Sequence, residues 1–496
     1  MRDPTGKQSK RQLLATHFLL LALFMLTGGT HASADDATAD SGSYADVQTA
    51  VNTVIGTGGG TVTIPACAET DWGNNQLFIN TDVPLRIRGG GTDVTRLSCA
   101  HSSMFKIYGD GLTEIGGFTV DLKGTGDVVI ALEEPEKTTH TVIHDIKAMN
   151  SDAAPFSICQ SAYKPVVMYN LDIRNSDTYG IYVYGPGPLW NYTIPEPNWG
   201  TNNPNVCFIE DSYFFQNGGH AISGFTGSKL VIRHNLFEDM LDTGLDGHAW
   251  GYGQSCGQTD TDPRYHANNY GAYQFEIYDN VWTNTSATYC IRVRSGTGMV
   301  TDNICDATET VRLAIESKFN SGYEPDEVTG TDSQTYTCIE PHIAAAENRP
   351  VTGADWADYW KQTGATGGAW TSGATYYPFF SAQSDCRCSV DALREFWNVI
   401  QGDTEIYGTD GRLDKAPVAY NIPHQWWIWG NTSAGTVYAE EDGPGCLGEG
   451  VTYWLRAPQA GDPVESYAKY PYPHPLRSTA GSAPGSPKAL RILPVP

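Results

Sequence analysis

The chain is short of positive charge. Its 496 residues carry 31 Lys and Arg against 56 Asp and Glu, a net charge of −25, so no basic stripe is available to hold a nucleic-acid backbone. Long apolar runs are also missing. The one candidate, HFLLLALFMLTGG, is shorter than the roughly 20 residues that a membrane span requires. There is no EF-hand loop. GTGGGT lacks the Lys-Ser or Lys-Thr of a phosphate-binding loop and reads as a turn. Cys386-Arg387-Cys388 has no second Cys or His pair at zinc spacing. The chemistry must therefore be sought in side chains scattered over a repetitive framework.

The N-terminus carries an export pattern. Arg2, Lys7, Lys10 and Arg11 precede the apolar run, and Ala32-Ser33-Ala34 offers a small-residue cleavage site, which predicts a signal peptide over 1–34 and a secreted, extracellular protein with no membrane attachment after cleavage. The first 34 residues hold four basic and one acidic residue, so the mature chain would carry −28. Holding an acidic polymer would then need Ca²⁺ or a local Arg and Lys cluster. Eleven cysteines in an exported chain predict disulfides. Cys338 and Cys386 bracket a suspected insertion, and Cys290 and Cys305 lie within one repeat length.

What the chain has is repetition. FIEDSYFFQNG, VIRHNLFEDM, EIYDNVWTN and MVTDNICDA share one pattern: alternating apolar and polar residues around an Asp, His or Asn, ending on a turn. Alternation of this kind marks strands. Asp211 to His234 and Asp279 to Asp302 are each 23 residues, and Asp145 to Asn170 is 25. A period in the twenties with short strands is the mark of a solenoid whose coils bury apolar surface only by stacking.

The spacing widens to 41 residues between Asn170 and Asp211 and to 45 between His234 and Asp279. The excess, rich in Pro, Gly and Asn, predicts long loops, where recognition and chemistry tend to sit. Before the first strand, YADVQTAVNTVI puts Val47, Ala50, Val51, Val54 and Ile55 on one helical face, a helix suited to cover the open edge of the stack. The expected order is a signal peptide (1–34), a parallel β-helix (35–337), an aromatic-rich insertion (338–388), the C-terminal part of the β-helix with its cap (389–477) and a flexible tail (478–496).

VQTAVNTVIGTGGGTVTIP with the GGGTDVT turn, followed by VIRHNLFEDM, DGHAWG, FEIYDNVWTN, IRVRSGTG, WIWGNTS and YPYPHPL, resembles the pectate-lyase-like right-handed parallel β-helix superfamily, and within it a group of secreted microbial β-helix proteins. The likeness covers roughly residues 44–320 and 420–477. It implies an all-β, right-handed parallel β-helix and a polysaccharide partner, since the superfamily holds polysaccharide lyases, glycoside hydrolases, epimerases, adhesins and tailspikes. NSDTYG, DGHAWG and IRVR echo the order of polygalacturonase motifs, but that family's paired Asp and its Lys are missing. The Lys and Arg pair of alginate and chondroitin lyases is not matched either.

Glycan hydrolysis needs two carboxyl groups, for which Asp246 and Glu276 are the candidates. His248 shares a strand face with Asp246, and His220 stands 26 residues earlier, one coil below. Elimination needs a base and a group that neutralises a uronate carboxylate. Arg292 and Arg294 face one way and suit that task. Asp239, Asp242 and Asp246 supply oxygens for a Ca²⁺ ion. In the insertion, Trp356, Trp360, Trp370 and Tyr376 offer faces for sugar rings, or form a miniature core. The reading favours a polysaccharide lyase, with a glycoside hydrolase or a non-catalytic glycan-binding or tailspike-like protein as alternatives.

Overall fold

The computed structural model describes residues 35–134, 137–160, 163–185, 205–225, 227–247, 272–283, 289–294, 296–305, 312–316, 327–338, 342–343, 345–362, 368–370, 372, 375–376, 423–433, 438–440, 449–450, 453–462 and 464–478. It is a parallel β-helix of about ten coils. Each complete coil contributes one strand to a narrow ten-stranded sheet and one or two strands to a wide nineteen-stranded sheet. Neighbouring coils pair in register and in parallel, as in Ile222 with Leu245 and Leu245 with Ile291.

The residues that marked the repeat are the ones at which the wide sheet bends. Asp145, Asn170, Asp211, His234, Asp279 and Asp302 all have φ between 46° and 58°, the left-handed region that Asn, Asp and His tolerate better than other residues with a side chain. Gly430 takes the same place in the coil after Asp302 with φ 66°. The residue after each bend turns inward, and Asn235, Asn280, Asn303 and Asn431 there form a ladder. Asn280 Nδ2 donates to Asn303 Oδ1 at 2.9 Å, and Asn303 Nδ2 donates to Asn431 Oδ1 at 2.9 Å. Each amide also donates to a backbone carbonyl of a neighbouring coil, Ile232 and Ile277 among them, so the polar interior of the bend is satisfied.

The core is one column of Val, Ile, Leu and Phe running through the stack. Phe214, Phe237 and Trp282 lie over one another, with centroids 4.8 and 4.6 Å apart, at the spacing of adjacent strands. The helix Tyr44–Gly56 forms as read, with Ser43 accepting from the Asp46 N–H at its start, and buries Val47, Ala50, Val51 and Val54 on the first coil. Among the described residues no helix is long and apolar enough to cross a membrane. Cys290 and Cys305 meet inside this core as thiols, and burial pushes the Cys290 thiol well above its ordinary range.

The coils break off after Arg312–Glu316 and resume at Pro423–Trp429, which pairs with Gly296–Thr301. Within the gap, Glu327–Thr329, Thr335–Cys338, Trp360–Gln362 and Gly368–Ala369 make a small satellite sheet. Its core is Val328, Tyr336, Cys338 and Trp360, with Trp356, Tyr359 and Trp370 against them.

Residues 464–478 then run back along the outside of the wide sheet as a strap. Tyr467 donates to Glu276 at 3.0 Å, and Lys469 reaches Asp279 and Asp302 at 2.9 and 2.8 Å. The Tyr470 and Pro471 carbonyls accept from Arg233, Tyr472 donates to Asp211 at 2.5 Å, and Arg477 pairs with Glu210 and Asp211.

Candidate active site

On the narrow sheet every second residue enters the core. Ile222, Leu245, Ile291 and Val293 do so, which turns Ser223, Asp246 and Arg292 outward, in register on three successive coils. His220 opens the strand His220–Phe225, and Arg294 follows the strand Tyr289–Val293. Strand parity and stacking set Ser223, Asp246, Arg292 and Arg294 on one face, and His220 reaches it from the first position of its strand.

There they interlock. Asp246 is 1% exposed, and Arg294 grips both its oxygens, Nε donating to Oδ1 at 3.0 Å and Nη2 to Oδ2. His220 Nδ1 lies 3.2 Å from Asp246 Oδ2 and 2.8 Å from Ser223 Oγ. An ionised carboxylate can only accept, so the Asp246 contact favours a proton on Nδ1. Nε2 faces Asp242, whose nearer oxygen is 3.8 Å away, beyond hydrogen-bond range. Tyr179 meets the His220 ring edge-on at 5.1 Å. Arg292 leaves the same face with its guanidinium 5.3 Å from the Tyr289 ring. Such a set can orient one imidazole and place positive charge on the same face of the sheet.

The other candidates are distributed differently. Glu276 points out of the wide sheet under the strap, accepting from Tyr467, so Asp246 and Glu276 leave different sheets and do not form a hydrolytic carboxyl pair. His248 lies outside the described residues. Asp239 occupies a left-handed turn at φ 51°, and among the described residues no three His, Cys, Asp or Glu side chains gather as metal ligands. Trp360 is 2% exposed and donates its indole N–H to the Asn348 carbonyl, so its face is spent on packing rather than on a sugar. Trp356 meets Tyr336 edge-on at 5.2 Å, and Trp370 lies 5.1 Å from the Arg349 guanidinium. Tyr376 is on the two-residue strand Thr375–Tyr376, and its side chain lies outside those described.

Two groups beside the site escaped the sequence reading. Ser223 is one, although its place three residues after His220 was visible. The other is the aromatic group of Tyr179, Tyr182, Tyr184 and Phe225 on the coils leading to the site, with centroids 4.2 to 5.7 Å apart. The alternation YGIYVY was the signal that could have found it.

A second charged cluster lies on the wide sheet. Arg88 holds Glu114 through two hydrogen bonds of 2.5 and 2.7 Å, and His144 sits between Glu114 and Asp145 at 3.1 and 2.7 Å. Burial works to raise the Glu114 pKa, but the hydrogen bonds from His144 and Arg88 outweigh it and hold the group at about 2. Burial works to lower His144, but the two carboxylates raise it above 6.5. Glu114 thus adds stability that is in place above pH 4.5 and is lost as the pH falls toward about 2. His144 adds stability that is in place below pH 6.5 and is lost as the pH rises through its elevated value. Urea unfolding midpoints are expected to peak between those limits, and His144→Gln should flatten the alkaline side.

A parallel β-helix with a histidine, carboxylate and guanidinium set on one face is the class that fold and site define. No protein-family model matches the chain, and no curated protein is similar to it in sequence. Among solved structures it is similar to ORF18 of Geobacillus virus E2, at 16% identity over 63% of this chain and 60% of that one, with a TM-score of 0.31. It is also similar to the catalytic unit of a thermostable GH87 α-1,3-glucanase from Streptomyces thermodiastaticus, at 12% identity over 57% and 59%, with a TM-score of 0.35. A third is the A-module of the mannuronan C-5 epimerase AlgE4 of Azotobacter vinelandii, at 11% identity over 57% and 88%, with a TM-score of 0.30. The chain spans about three fifths of the length of the first two.

Proposed function

We propose that this chain is an exported carbohydrate-active enzyme that cleaves a uronate-containing polysaccharide by β-elimination. One observation carries the reading: the His220 imidazole is held at Nδ1 by a buried Asp246 that Arg294 itself grips at both oxygens. In this scheme Nε2 acts as the base. It removes the proton on the carbon next to the uronate carboxylate, and the electron pair of that C–H bond becomes the new ring double bond. The bond from the neighbouring carbon to the glycosidic oxygen breaks, and a proton from water completes the leaving hydroxyl. Arg292 neutralises the carboxylate as negative charge spreads onto it, and Asp246 stabilises the imidazolium that forms.

The test is incubation with alginate, polygalacturonate and glucuronan, reading unsaturated ends by ultraviolet absorbance and new reducing ends by chemistry. Unsaturated ends are expected, and their absence sinks the elimination. Reducing ends alone would favour hydrolysis, and retention without turnover a binding protein. Because the reading gives the neutralising task to Arg292, activity is expected to survive EDTA and to fall about a hundredfold in Arg292→Ala. Loss with EDTA would move that task to Ca²⁺ held near Asp239 and Asp242.

A further inference from the structure

We propose that a distal sugar-binding platform, built from Phe78 and Tyr108 with Lys106 and Glu133 at its edge, holds the same glycan chain about five coils from His220. The proposal rests on the reading that the outer face of the narrow sheet takes a polysaccharide.

The sequence of that face leads to it. Leu77, Ile79, Phe105 and Ile107 enter the core, so Phe78, Lys106 and Tyr108 point outward. Phe78 is 52% exposed, an unusual position for a phenylalanine on a regular strand, and its ring meets Tyr108 at 5.5 Å with the planes tilted by 42°. The Lys106 ammonium lies 5.6 Å from the Tyr108 centroid and 3.4 Å from Glu133, which also accepts from the Tyr108 hydroxyl. Open aromatic faces bordered by a fixed donor and acceptor suit a pyranose, which presents C–H groups on one face and hydroxyls at its rim.

The register ties this platform to the site. Phe78, Lys106, Ala131, Ser157, Tyr182, Ser223, Asp246 and Arg292 occupy the same strand position on successive coils. Coils rise by about 4.8 Å, close to the length of one pyranose unit, so Lys106 lies roughly 24 Å from Asp246 along the stack. Between them Ala131 and Ser157 are small and keep the floor low before the tyrosines begin. A chain seated at His220 and laid along the row reaches Phe78 about five or six sugar units away. Its occupant is therefore the substrate chain itself rather than a protein, whose side chains have no reason to repeat at the coil rise.

The experiment compares the full chain, Phe78→Ala/Tyr108→Ala and Val94→Ala, an exposed apolar residue in a turn beside the wide sheet, by affinity electrophoresis in gels containing alginate, polygalacturonate or hyaluronan. Unchanged circular dichroism and unfolding midpoints serve as the control for folding. The double variant is expected to lose about tenfold in affinity for the retarding polymer, with Val94→Ala like the parent, and its loss in kcat/KM should grow with chain length. Retardation of the double variant equal to the parent's overturns the platform and leaves the His220 reading intact. Retardation without turnover sinks the elimination, and the same comparison still decides the platform. A parent that none of the three polymers retards overturns the platform as well.

Discussion

Replacing His220 by alanine is expected to lower the rate of chain cleavage about a thousandfold, in the range found for positioned acid–base groups, with little change in folding. The side chain stands outside the hydrophobic column, so its removal opens no core cavity. His220→Gln keeps a polar group of similar reach but cannot take up a proton at neutral pH, and the acid limb of the pH–rate profile should disappear with it. Asp246→Asn tests the clamp. It keeps the shape, breaks the charge pair with Arg294 and frees the imidazole to adopt either tautomer, so the fall should appear in kcat rather than KM. A wild-type rate in His220→Ala would remove the base from the scheme and the elimination with it.

The second large effect is on stability. Arg233 and Glu210 are both fully buried on the outside of the wide sheet, and Arg233 also donates to Tyr278 at 3.1 Å and to the strap carbonyls of Tyr470 and Pro471 at 2.7 and 2.8 Å. Arg233→Met leaves Glu210 buried with only part of its compensation and removes one donor from each of two strap carbonyls, which should cost about 3 kcal/mol or more. Adding Glu210→Leu should recover part of the loss, because a buried pair replaced by apolar groups is far less costly than a pair half removed. Urea unfolding of the two single variants and the double gives the coupling directly. Additive losses would show that the pair does not act as a unit.

How much of this was legible depended on what kind of contact was involved. The coil period was readable because the left-handed bend restricts its own residue, so Asp211, His234, Asp279 and Asp302 mark four successive coils. His220 and Asp246 could be brought together because 26 residues is close to one period. Glu276 lies on the other sheet from Asp246, which the spacing does not record: it counts coils but does not say which sheet of a coil a strand joins. The long excess after Asp246 hid the change of sheet. Trp360 looks the same in sequence whether it stacks on a sugar or fills a miniature core, and only the chain folding back through Asn348 decides. The strap was invisible, since its partners lie 167 to 267 residues away and no local pattern records them.

The strap also acts as a ruler. Repeat proteins are nearest-neighbour systems, able to gain, lose or fray a unit at little cost to the rest. Here residues 464–478 touch six successive coils, from Met299 and Trp427 beside Val464 to Tyr169 beneath Arg477, with Lys469 and Arg477 on coil carboxylates and two strap carbonyls on Arg233. Insert one coil between them and every cation beyond the insertion faces the wrong acceptor. The number of coils in this stretch is thereby tied to the length of a segment that is not itself a coil. Coils that would otherwise melt one after another are bound into a unit that opens together.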